Sequence, residues 1–145
     1  MRALIQRVAQ ARVSVDGTVV GEIGPGLLVF LAIGKNDTES TCRQLASKVC
    51  RMRIFDDEKG KMNRSLLDTG GAALIVSQFT LYADTEQGLR PSFTNACEPV
   101  RAERLYEQFI AELRYLGVPV QSGRFGARME VELVNSGPVT IMLEE

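Results

Sequence analysis

The sequence predicts a single-domain α+β protein, a mixed and antiparallel sheet structure carrying two main helices. Three observations point there. Period-two alternation marks Arg12–Val15 near the start, and again Arg128–Leu133 and Val139–Leu143 near the end. Two apolar stripes at helical spacing, Cys42 to Cys50 and Ala102 to Leu116, mark the helices. Two unbroken apolar runs, Leu27–Ile33 and Ala72–Val76, have the length of strands buried on both faces. A chain of 145 residues fits one domain over residues 1–145 and buries roughly 70% of its unfolded surface.

The opening residues 2–15 read as extended. Asp16-Gly17 is a hairpin turn signal, and Thr18–Ile23 returns as the second strand. Gly24-Pro25-Gly26 punctuates before the Leu27 run. Arg7 interrupts an otherwise apolar opening, and as a strand-edge residue it would hold its head in water. Asp37 or Thr38 caps the first helix, whose stripe makes Cys42 and Cys50 core thiols. They stand about two turns apart, roughly 12 Å by helical rise, too far for a disulfide.

Met52–Phe55 is extended again, followed by a charged loop from Asp56 to Arg64. Its acids lack the ligand spacing of a calcium loop, and Lys59 and Lys61 interrupt them, so it reads as a solvated turn whose cations are still candidates for contacting phosphate. Leu66-Leu67 and Gly70-Gly71 lead into the Ala72 strand. Pro99 at the first helical position opens the second helix, and Gly117 and Pro119 close it. That helix reads as packing material. Gln121–Gly126 is a Gly-flanked turn, and Asn135–Pro138 is expected to join the last two strands as a tight hairpin.

Chemistry is placed at Ser77-Gln78-Phe79-Thr80. A buried strand ends there and a polar loop opens, so two hydroxyls and an amide are presented at a rigid exit. Alternatively the hydroxyls cap their own strand end. Gly137-Pro138 is the second feature: Pro cannot donate to a ladder, so the tip offers carbonyl acceptors only.

Composition excludes more than it names. The chain has no His, which removes Ser-His-Asp and Cys-His mechanisms, His-ligated metals and a histidine base. Its three Cys lack zinc spacing. A net charge of −1 argues against a general nucleic-acid module: no DNA partner is expected, and any RNA contact is a local patch. The longest apolar run is far short of the roughly 18 residues a membrane span needs, and Gln6-Arg7 breaks any signal-peptide core. A cytoplasmic protein without membrane contact is expected.

Ser77-Gln78-Phe79-Thr80 and Asn135–Thr140 together resemble the D-aminoacyl-tRNA deacylases. Met1–Val8, Gly60–Asn63, Arg90–Phe93 and Gly123–Gly126 fit the same family in order, from residue 1 to the C-terminus. The resemblance implies α/β/β layers and a homodimer that hydrolyses the ester between a D-amino acid, or mischarged glycine, and the terminal adenosine of tRNA. It also implies no bound cofactor and no metal in the chemistry. In the family the Gly-Pro motif is cis and reaches into the partner's site to exclude L side chains. Here that motif is Gly137-Pro138. Arg7 matches the family's early Arg that holds the tip, and Met129 is a further candidate for packing it. Two mechanisms remain open: Thr80 as nucleophile, or water assisted by the substrate's 2′-OH with backbone donors near Gln78 and Phe79. A non-catalytic tRNA-end binding module and a small-ester hydrolase using Ser77 or Thr80 are the competing functions.

Overall fold

A computed structural model describes residues 1–145. The strands are β1 (Arg2–Val15), β2 (Thr18–Ile23), β3 (Gly26–Ala32), β4 (Phe55–Asp56), β5 (Met62–Arg64), β6 (Ala72–Ser77), β7 (Val120–Ser122) and β8 (Glu130–Glu144). The helices are α1 (Glu39–Arg51), α2 (Leu66–Thr69) and α3 (Pro99–Tyr115), with a 3-10 turn at Phe79–Tyr82. One mixed sheet runs β2-β1-β3-β6-β7, with β8 also on β1. The β3–β6 and β6–β7 pairs are parallel, the rest antiparallel. The sheet curls toward a barrel, and β4–β5 form a separate small hairpin.

Strand parity sorts the core into two layers. Odd residues of β3 and β6, among them Leu27, Val29, Ala73 and Ile75, pack with Ala3 and Ile5 against α1 and α3. Even residues Leu28, Leu74 and Val76 pack on the other face against Val8, Ala11 and Val13. β1 therefore changes layers between Ile5 and Val8, where its register with β8 shifts. All five stripe residues expected of α1 are buried, and its cysteines are free thiols. Thr38, not Asp37, is the N-cap; Thr38 and Thr41 make a reciprocal box. Asp37 is instead buried, taking the Met1 amino group at 2.6 Å and the Gly34 N–H at 2.6 Å.

Asp16 and Gly17 both have positive φ, 50° and 76°, as a tight two-residue hairpin turn requires. The C-terminal hairpin, by contrast, does not form. β8 is one strand, and both of its halves pair with β1. Between the pairs Gln6–Thr140 and Val8–Asn135, β1 advances two residues while β8 advances five. The surplus loops out as an excursion from a continuous strand. Other elements were not expected from sequence: the stretch read as a solvated turn, Asp56–Arg64, closes into the β4–β5 hairpin because Met62–Arg64 pairs back on Phe55–Asp56, and Phe79–Tyr82 winds into a 3-10 turn. Ser65 and Asp68 cap each other to make the single turn α2, and β7 adds a short parallel strand beside β6.

Candidate active site

β3 and β6 run parallel, so both carboxyl ends open at the same edge of the sheet. A cavity of about 580 Å³ lies there. Leu31, Ile33, Val76 and Ser77 come from the strand ends. Pro99, Ala102 and Tyr106 of α3 form one wall, and Phe125, Ala127, Met129 and Val131 another. A depression of about 700 Å³ along α1 has a polar lining, with Arg43, Lys48 and Arg51, and opens broadly to solvent. The cavity at the strand ends is the one with an apolar floor and few converging polar groups, the usual form of a small-molecule site.

Ser77 is half-buried and pairs with Leu31. At Gln78 the chain leaves the strand with φ −147° and ψ 73°. The Gln78 N–H donates to the Leu31 carbonyl at 2.8 Å, so that donor is already used. Its side-chain Nε2 donates to Thr80 Oγ1. Phe79 is 58% exposed and meets Phe93 edge-on, ring centroids 5.0 Å apart. Beneath them Tyr106 donates its hydroxyl to the Ile75 carbonyl at 2.8 Å and stands 5.7 Å from the Phe125 ring. Burial pushes the Tyr106 phenol up to about 12. Cys97 and Tyr106 are the only ionisable side chains in the lining. Ser77, Gln78 and Phe79 line the cavity, but Thr80 does not: it is exposed beside it, its hydroxyl engaged by the Gln78 amide. No basic side chain lines the cavity, so the Ser77 hydroxyl has no partner there able to take its proton.

The second group of residues lies elsewhere. Arg7 Nε donates to the Ser136 carbonyl at 3.2 Å, and Nη1 donates to the Ile54 carbonyl at 2.7 Å. Its side chain is 12% exposed, so the guanidinium is held against the protein and not in water. Asn135 Nδ2 donates to the carbonyls of Arg7 and Val139, at 2.9 and 3.1 Å, and closes the base of the excursion. Gly137 and Pro138, joined by a cis peptide bond, are exposed at its tip. Neither they nor Arg7 line the cavity. Arg7 pairs with Leu27, whereas Ser77 pairs with Leu31 four residues further along β3, roughly 13 Å at strand rise. Met129 stands with the cavity, where a Cβ at Gly123 would come within 2.5 Å of its sulfur.

The profile of the D-Tyr-tRNA(Tyr) deacylase family matches residues 4–144. The chain belongs to this family. It is 61% identical over 144 residues to a D-aminoacyl-tRNA deacylase of Ruegeria pomeroyi, covering 99% of each chain. Against a D-aminoacyl-tRNA deacylase of Deinococcus radiodurans it is 56% identical, again over 99% of each. Among solved structures, a c-Myc DNA unwinding element binding protein superimposes with TM-score 0.95 at 39% identity, over 100% of this chain and 99% of that one. A "probable eukaryotic D-amino acid tRNA deacylase" superimposes with TM-score 0.84 at 21% identity, covering 98% and 97%, and shares the fold.

In this deacylase-family chain, sequence reasoning located the strand exit but missed most of the cavity wall. Ala102 and Tyr106 belong to the stripe of a helix read as packing alone. They face the core and the cavity at once, because the cavity is a gap at the end of that core. Phe93, Phe125 and Ala127 lie in loops without periodicity; Arg90–Phe93 and Gly123–Gly126 carry the family resemblance, but no local pattern assigns their rings to a cavity.

Proposed function

We propose that the chain hydrolyses the ester joining a D-amino acid, or glycine, to the terminal adenosine of tRNA, releasing the free amino acid and tRNA. It works as a cytoplasmic homodimer in which the Gly137-Pro138 tip of each chain stands in its partner's cavity. The observation that carries this reading is the separation just described. One chain holds a cavity without the tip and a tip outside the cavity, so a second copy is the economical way to unite them.

The cavity suits a nucleoside. The exposed Phe79 face beside Phe93 offers a stacking platform of the kind worth roughly 1–3 kcal/mol per base. Carbonyls at the tip accept hydrogen bonds from the substrate ammonium and occupy the space an L side chain would need. A D side chain points away, and glycine has none, so rejection is steric and indifferent to the identity of the D side chain.

The lack of a base among the side chains lining the cavity supports chemistry carried by water and substrate. Water oxygen attacks the ester carbonyl, the bond to the ribose oxygen breaks, and the water proton ends on that oxygen. The neighbouring 2′-OH orients the water and relays the proton. With the Gln78 N–H engaged, the donor for the developing oxyanion is the Phe79 N–H, at the start of the 3-10 turn. Ser77 and Thr80 position the substrate and shape the turn. The decisive assay is deacylation of D-Tyr-tRNA and L-Tyr-tRNA at equal enzyme concentration. Release of the D-amino acid alone is expected. Hydrolysis of both would remove the chirality filter, and hydrolysis of neither would leave a binding module.

A further inference from the structure

The β4–β5 hairpin is fastened to the Gly137-Pro138 tip. The guanidinium that holds Ser136 also binds the Ile54 carbonyl at 2.7 Å and the Asp56 carboxylate at 3.2 Å. Whatever space the tip enters, this hairpin stands at its side.

The hairpin's sequence mixes charges, but the structure separates them. Asp56 is paired with Arg7. Asp57 turns its carboxylate onto the backbone, accepting from the N–H groups of Lys61 and Lys59 at 3.0 and 2.8 Å, which hold its pKa below the usual range. Arg53 and Arg64 donate to the carbonyls of Asn63 and Asp68 and form no ion pair. Lys59 and Lys61 are exposed, and their ammonium groups meet no carboxylate within 4 Å. Asp56 is thus neutralised by Arg7, and the Asp57 charge is turned onto its own backbone, leaving Asp57 and Glu58 against the four cations Arg53, Lys59, Lys61 and Arg64. The cations along α1 differ: Lys48 is already paired with Glu145, and nothing ties that surface to the tip.

We propose that this hairpin binds the phosphates of the tRNA acceptor strand in trans: Lys59 and Lys61 of one protomer grip the RNA whose 3′ end occupies the partner's cavity. The inference rests on the deacylase reading above and deepens it. A chain of net charge −1 has no general affinity for RNA, so phosphate neutralisation has to come from a local group of unpaired cations. Here such a group is rigidly linked to the element that enters the site.

The test compares two substrates, D-Tyr-tRNA and the D-tyrosyl ester of adenosine, in the full-length protein and in Lys59→Gln/Lys61→Gln. The kcat/KM on tRNA is expected to fall about tenfold relative to that on the adenosine ester. The salt slope of log kcat/KM on tRNA should fall by about 1 for each lysine. An unchanged ratio, or an unchanged salt slope, would overturn the proposal. If the unsubstituted protein hydrolyses neither substrate, the deacylase reading itself fails and the hairpin's role goes with it. A mixed dimer tests the trans arrangement. One chain carries Ala127→Trp to fill its cavity and keeps its lysines; the other keeps its cavity and carries the two Gln substitutions. Recovery of the unsubstituted kcat/KM per open cavity is expected. Retention of the low value would place the hairpin beside its own chain's cavity and overturn the proposal.

Discussion

Arg7 and Ser136 are 129 residues apart in sequence, yet the Arg7 Nε–H meets the Ser136 carbonyl at 3.2 Å. Through this contact β1 grips the excursion in β8, and the same guanidinium anchors the β4–β5 hairpin. Position, charge and fork geometry are all used, so the residue is poorly replaceable.

Arg7→Ala should therefore lower kcat/KM on D-Tyr-tRNA by about a hundredfold, the scale of an ångström-sized misplacement. Arg7→Lys should recover little, because one ammonium cannot span the three oxygens the fork reaches. Steady-state deacylation with a parallel denaturant titration checks both. An Arg7→Ala protein within twofold of the parent would remove the tip-holding role.

Asn135→Ala should act on selectivity more than on folding. Its amide closes the base of the excursion through the Arg7 and Val139 carbonyls. Losing those two bonds costs about 1–2 kcal/mol of stability. The D-to-L rate ratio should fall at least tenfold as the tip loosens, read from paired D-Tyr-tRNA and L-Tyr-tRNA assays. An unchanged ratio would mean the tip keeps its shape without the amide.

Thr80→Ala should retain activity within about tenfold. The Thr80 hydroxyl is engaged by the Gln78 amide, hydrogen-bonds to no basic side chain and lies outside the cavity lining. Loss beyond about a thousandfold in a folded protein is the scale of lost covalent catalysis, and would reinstate Thr80 as nucleophile.

Asp37→Ala should destabilise the fold by about 3–5 kcal/mol, because it leaves the buried Met1 ammonium unpaired and strips the Gly34 N–H of its acceptor. Chemical denaturation measures this. The site lies outside the cavity lining, so kcat per folded molecule should hold.

Tyr106 makes an alkaline signature. Its pKa is raised by burial to about 12, above the unfolded value of 10. The folded state therefore favours the neutral phenol. That contribution is complete below pH 10 and is lost as pH rises toward 12. Tyr106→Phe should lose about 1 kcal/mol at neutral pH with the Ile75 bond, and should flatten the fall of Tm above pH 10. A steep alkaline fall persisting in Tyr106→Phe would assign the transition to another group, Tyr82 first, whose phenol is also raised to about 12.

Much of this architecture is legible along the chain. Helical spacing identified the buried stripe of α1 residue by residue, and apolar runs identified β3 and β6, because burial is periodic wherever one face packs. The lack of His excludes histidine-assisted hydrolytic mechanisms from composition alone. Ser77–Thr80 stood out because polarity changes abruptly at a strand end. Other features were decided only in three dimensions. Alternation reports which face a residue takes, not which strand it pairs with. Asn135–Pro138 therefore looked like a hairpin turn, until both halves of β8 were found on β1. The fate of Arg7 depended on carbonyls at Ile54 and Ser136, distant in sequence and invisible to any local pattern. The cavity, likewise, is what remains between the ends of β3 and β6, the flank of α3 and an aperiodic loop, a shape that no single segment encodes.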